Sequence, residues 1–223
     1  MSEGNGTRDV TKTVGVRDTP ILVDVEDEQG LKIGDYALAL ARFIEQTETP
    51  MTIGIQGDWG SGKTSLMNLI EQRLGQAYPV VKVNTWKYAQ TEPGQGLAIA
   101  IFLAIIRSLT KQTGGEAKQV VQRIGKALLS LGGKVAEAQL GVNVTSALAK
   151  GELDQVFEQY ESLEKLKEQL EDLVGTVLKD KGTGRDRVVV FVDDLDRVQP
   201  DRAVEILEVL KVFLDIRGLV FVL

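Results

Sequence analysis

The chain has 223 residues, 43% of them hydrophobic and 26% charged, which suits one α/β domain with a substantial core and excludes a disordered or fibrous architecture. A formal net charge of −6 argues against a broad basic surface for nucleic acid. The sequence contains no Cys and no His, which excludes disulfides, thiolate chemistry, the usual zinc sites and a His general base, and leaves carboxylates, Lys, Arg, hydroxyls and a bound cation to carry any reaction.

Residues 1–19 are polar, carry both signs of charge and contain no apolar core, so they predict a mobile tail and not a secretory signal. In Leu31 to Ile44, the residues Ile33, Tyr36, Ala37, Leu40 and Phe43 recur at helical spacing and predict an amphipathic helix packed through that face. Met51 to Ile55 is short and mostly apolar, between Pro50 and a glycine-rich loop, and predicts a buried strand. A helix is expected from Thr64 to Leu74, closed by Gly75, and a second strand from Pro79 to Asn84. Pro93 and Gly94 mark a loop before an apolar helix, Leu97 to Leu109, which Gly114 and Gly115 end. The longest uncharged apolar stretch, Leu97 to Ile106, is about half of the ~20 residues that a spanning helix requires. No transmembrane span is expected, and a cytoplasmic location follows.

Val120 to Lys150 mixes Ala, Leu and Gly with scattered charges and reads as helical, with breaks at Gly132-Gly133 and Gly141. From Glu152 to Lys179, Leu153, Val156, Phe157, Tyr160, Leu163, Leu166, Leu170, Leu173, Val174 and Val177 follow helical steps between Glu and Lys. This predicts a long amphipathic helix lying along the domain, a reading preferred to a partner-binding coiled coil because the heptads are too few. The β-branched run Val188 to Val192 predicts a buried central strand. Pro200 to Asp215 reads as a helix with Val204, Leu207, Leu210 and Val212 mostly inward, and Arg217-Gly218 turns into a last strand, Leu219 to Leu223. Strands separated by helices imply parallel pairing in a three-layer α/β/α sandwich.

The segment Gly57-Asp58-Trp59-Gly60-Ser61-Gly62-Lys63-Thr64-Ser65 matches the phosphate-binding P-loop pattern and stands between a predicted strand and a predicted helix, the context that the pattern needs. Its glycines let successive backbone N–H groups turn inward as an anion-binding nest at the positive end of the helix. Lys63 is placed for the β- and γ-phosphates and the Thr64 hydroxyl for Mg²⁺, so a nucleoside triphosphate, with Mg-ATP as the first choice, is the expected ligand. Asp193 and Asp194 end the Val188 strand, where the site of an open α/β sheet lies, on a strand expected beside the P-loop strand. Asp193 would hold Mg²⁺ and Asp194 would polarise an attacking water; a turn aspartate is the competing reading of each. Asp196 and Arg197 continue the run as Asp-Asp-Leu-Asp-Arg, and a structural salt bridge competes with a catalytic part for them. Trp59 and Trp86 read as ordinary packing anchors.

The P-loop segment continued through Ser65-Leu66, with the later Val190-Phe191-Val192-Asp193-Asp194-Leu195-Asp196-Arg197-Val198-Gln199-Pro200, resembles the KAP family of P-loop NTPases. So do Asp18-Thr19-Pro20-Ile21, Asn84-Thr85-Trp86-Lys87-Tyr88, and Glu205 to Leu210 with Gly218 to Val222, so the likeness runs from about Asp18 onward. The resemblance implies Lys63 and Thr64 on phosphate and Mg²⁺, Asp193 as the Walker B carboxylate, and a sheet with a strand inserted between the P-loop and Walker B strands. Some members are linked to bacterial phage exclusion, and many insert transmembrane helices between the two motifs. Here the insertion, about 94–184, is soluble in character, and the ending at Leu223 falls short of the family's remaining strand and helical C-terminal region. The resulting expectation is an Mg-dependent ATPase, with Lys63 and Asp194 catalytic, that drives a protein partner or a second copy of itself. A nucleotide-gated scaffold and a small-molecule kinase are the alternatives.

Overall fold

The computed structural model of the protein describes residues 33–75, 77–91, 97–112, 153–180 and 186–223. In chain order these form α1 (Ile33–Gln46), β1 (Met51–Ile53), α2 (Lys63–Leu74), β2 (Val80–Asn84), α3 (Thr85–Thr91), α4 (Leu97–Lys111), α5 (Leu153–Asp180), β3 (Val188–Asp193), a 3-10 turn (Leu195–Arg197), α6 (Pro200–Leu214) and β4 (Leu219–Val222). The predicted tail and the broken helix read over Val120 to Lys150 lie outside the described residues.

Among the described residues all the strand pairs are parallel, and the order is β1-β4-β3-β2. Neighbouring strand residues point to opposite faces of a sheet, and here both faces are covered. Val189 and Phe191 of β3, with Val220 and Val222 of β4, meet Ala37, Ala41 and Ile44 of α1 and Met67, Leu69, Ile70 and Leu74 of α2. On the other face Val188, Val190, Val192, Leu219 and Phe221 meet α4, α5 and α6. All six residues of β3 are therefore buried, which is why its sequence is an apolar run without alternation. Phe213 of α6 bridges this layer, its ring 4.4 Å from that of Phe102 on α4 and 6.3 Å from that of Phe221 on β4, separations at which aromatic pairs attract.

Several expectations need adjustment. In α1 the inward residues are Ala37, Ala41 and Ile44; Tyr36 and Phe43, expected to pack, are 65% and 49% exposed. The small alanines let the helix approach α2, and the two large rings are turned aside. In α6 the buried stripe is Ile206, Leu210 and Phe213, and Val204 faces water. Helix α3 has no counterpart among the predicted elements, because Thr-Trp-Lys-Tyr-Ala-Gln-Thr carries no apolar period. Strand β1 is shorter than predicted, yet its ladder continues: Leu223 N donates to Ile53 O at 2.9 Å and Ile55 N to Leu223 O at 2.7 Å.

Arg187, just before β3, is a buried cation whose guanidinium makes four hydrogen bonds. Its guanidinium donates to Ile44 O at 2.5 Å and Thr47 O at 2.8 Å, tying the end of α1 to the sheet, and to Asp186 Oδ1 at 2.7 Å. The Asp186 hydrogen bond is the main reason that Arg187 holds its proton more firmly than usual, and the Arg187 hydrogen bond holds the Asp186 carboxyl below the ordinary range.

Candidate functional site

The loop from β1 to α2 is built on glycine where the backbone requires it. Gly60 and Gly62 have φ of 79° and 89°, left-handed values that a side chain opposes. Gly62 is also the N-cap of α2, where no side chain caps the helix and the first turn holds no acidic residue. The helix thus opens with no side-chain cap and no acidic residue of its own in the first turn, so its positive end faces the loop, the elements of an anion site. Ser61 N donates to Asp58 O at 3.1 Å, which closes the loop on itself.

The parallel sheet order brings the end of β3 to this loop. Thr64, in the first turn of α2, donates through Oγ1 to Asp193 Oδ1 at 3.2 Å. Asp193 is 5% exposed, and the same Oδ1 accepts the Asp194 N–H at 2.9 Å. From the far side, Thr85 Oγ1 donates to Asp193 O at 2.9 Å, which fixes the end of β3 against α3.

Asp194 follows with φ 60° and ψ 27°, a left-handed conformation that Asp tolerates better than most residues. Each of its oxygens has a partner: Arg197 Nε lies 2.6 Å from Oδ1, and Asn84 Nδ2 donates to Oδ2 at 2.6 Å. Asn84 uses its other end as the cap of α3, its Oδ1 accepting the Lys87 N–H at 2.9 Å. Lys63 Nζ donates to Gly57 O at 2.8 Å and Asp58 O at 3.1 Å and pairs with Asp196 Oδ2 at 2.9 Å.

Among the described residues no group of three or more acidic side chains is gathered to hold a metal. The fit to magnesium is nevertheless good. The adjoining hydroxyl and carboxylate oxygens of Thr64 and Asp193 are hard ligands of the few-protein-ligand kind that Mg²⁺ takes when substrate phosphates and water complete its shell.

Residues 34–223 match the family described as the KAP family P-loop domain. The chain belongs to the KAP family. Searches among curated proteins and among solved structures found no match. The match covers residues 34–223, and the stretch from Asp18 to residue 32 lies outside the described residues. Its sheet has β4 between β1 and β3, the inserted-strand arrangement that the resemblance implied, so the strand carrying Asp193 does not lie directly beside the P-loop strand as first expected. No helix among the described residues is long and apolar enough to cross a membrane.

The KAP site brings Lys63, Thr64, Asp193 and Asp194 together, with Asp58 contributing its carbonyl and Gly57, Gly60, Ser61 and Gly62 the loop; Ser65 is buried in α2. Trp59, read as a packing anchor, is instead 75% exposed, and Trp86 is exposed as well. For two residues joined to the site the sequence reading did not find the partner. Asn84 stood as the end of a strand and the start of a segment of family likeness, although Asn before a polar heptad is also a helix-start signal. Asp196 was read as a salt-bridge candidate beside Arg197, whereas its partner is Lys63 and that of Arg197 is Asp194.

Proposed function

We propose that this KAP domain binds Mg-ATP on the P-loop and hydrolyses it, and that the bound state acts on a protein partner or a second copy of the chain. The observation that carries the reading is the Thr64–Asp193 hydrogen bond of 3.2 Å at the uncapped start of α2, which joins the two phosphate-site motifs in one place. The backbone N–H groups of the loop and of the helix start would orient the triphosphate, and Lys63 adds a charge that moves onto the phosphate oxygens. Thr64 and Asp193 would hold Mg²⁺, which when bound supplies positive charge to those oxygens. Asp194 would orient the attacking water and accept its proton.

Phosphate release from ATP by the wild type and Lys63→Ala tests this reading. Turnover lost in the variant supports it, and equal turnover overturns it. A second reading, a nucleotide-gated scaffold with little turnover, is favoured by one observation: both Asp194 oxygens are engaged, by Arg197 and by Asn84, which leaves the carboxylate poorly presented to water. Nucleotide-dependent complex formation without phosphate release would select it.

A further inference from the structure

A lysine ammonium has three N–H donors, and Lys63 meets three acceptors: Gly57 O, Asp58 O and Asp196 Oδ2. Its donors are used before any phosphate arrives. Two of the acceptors are neutral carbonyls of the loop that surrounds the lysine. The third is a full negative charge, brought from the 3-10 turn after β3, and it stands where an incoming phosphate oxygen would compete for the same amine.

We propose that Asp196 is an internal stand-in for the terminal phosphate: it holds Lys63 until nucleotide displaces it, and its departure releases Asp194. This rests on the nucleotide-binding reading above. Asp196 is the partner able to move, since its side chain is 48% exposed while that of Lys63 is 19% exposed; the carboxylate can turn to water, whereas the amine stays in the loop. The turn that carries it also carries Arg197, whose Nε holds Asp194 Oδ1 at 2.6 Å. The backbone bonds of that turn are long, although Val198 is buried in the core and Leu195 packs against it. The Arg197 N to Asp194 O and Val198 N to Leu195 O bonds are 3.2 and 3.3 Å long, at or beyond the upper end of the usual range. One three-residue segment thus supplies a counter-charge to each of the proposed catalytic side chains, the acid to Lys63 and the base to Asp194. Because Asp196 and Arg197 are neighbours on that turn, a shift of the turn that takes Asp196 off Lys63 also draws Arg197 away from Asp194 and frees the oxygen that a water would need.

The test is calorimetric titration of the wild type, Asp196→Asn and Asp196→Ala with ATP in EDTA, and with a non-hydrolysable ATP analogue plus Mg²⁺, at low and high salt. The exposure of Asp196 and the matching shape of Asn keep the fold intact in the first variant. Both variants are expected to bind about threefold tighter or more than the wild type in both arms, with the gap narrowing at high salt as screened pairs do. Affinity equal to or weaker than wild type overturns the proposal, as does weakening confined to the Mg²⁺ arm, which would make Asp196 a metal ligand. Hydrogen exchange at the Arg197 and Val198 amides of the wild type is expected to quicken when nucleotide binds; unchanged exchange overturns the transmission to Asp194. A wild type that binds nucleotide in neither arm removes the proposed function itself, whereas a wild type that binds beside variants that do not tighten removes only this inference.

Discussion

Thr64 Oγ1 and Asp193 Oδ1 lie 3.2 Å apart across 129 positions of sequence, and the contact exists only because β3 ends level with the first turn of α2. In Asp193→Asn the shape is kept and the charge is lost. Binding of ATP in EDTA is expected to change little, the strengthening by Mg²⁺ to disappear, and phosphate release to fall by about 100-fold or more. Titration with and without Mg²⁺, beside a turnover assay, checks this; an undiminished magnesium effect would place the ion elsewhere.

The left-handed backbone of Asp194, φ 60°, separates two truncations that remove the same contacts. Asp194→Ala and Asp194→Gly both lose the Asn84 and Arg197 partners, and both are expected to stop turnover. Glycine accepts this conformation and alanine resists it, so the alanine variant should be less stable by about 1 kcal/mol. Urea unfolding of the pair measures the difference directly, and equal stability would refute the backbone geometry.

Asn84 serves α3 and Asp194 with opposite ends of one amide. Asn84→Asp keeps an acceptor for the Lys87 N–H but sets a second carboxylate against Asp194. The helix cap should survive, while like charges at this distance displace Asp194. Turnover is expected to drop about tenfold or more with KM nearly unchanged. A fall in nucleotide affinity alone would show that Asn84 acts on the phosphate loop instead.

Arg187 is a stability prediction without catalytic content. Arg187→Met removes the donor from two backbone carbonyls, Ile44 O and Thr47 O, and is expected to cost about 2–4 kcal/mol in denaturant unfolding. Its partner sets a pH dependence. The Arg187 hydrogen bond lowers the Asp186 pKa from the ordinary 3.8, so the folded value lies below the unfolded one. The stabilisation is then fully present above 3.8 and is lost as the pH falls through the folded value. Because the Asp186 side chain is 64% exposed, solvent screens the effect, and it should be modest. Thermal unfolding followed from about pH 4 down to about pH 2 should therefore show an acid-side loss that is smaller in Asp186→Asn.

How much of this was legible in the sequence depends on what each residue answers to. The strands and the long helices were visible because burial on both faces of β3, or on one stripe of α5, imposes a pattern on neighbouring residues. The orientation of α1 was not: Tyr36 and Ala37 are adjacent, both are apolar by composition, and only the closeness of α2 decides that Ala37 goes inward. Within the site, Lys63, Thr64 and Asp193 were readable as motif members at fixed spacing. The Asp196 partner of Lys63 and the Asn84 partner of Asp194 were not, because they come from separate elements whose meeting depends on strand order. No local pattern records that order.

The strand that joins the P-loop strand to the rest of the sheet is made long after it. Gly218 N, at the threshold of β4, bonds Thr49 Oγ1 across 169 positions, and β1 pairs with β4. At common rates of ribosomal synthesis that interval takes on the order of 10 s. Throughout it the nascent phosphate loop lacks β4, the strand that β1 pairs with among the described residues, and that edge of β1 must wait for the last element of the sheet.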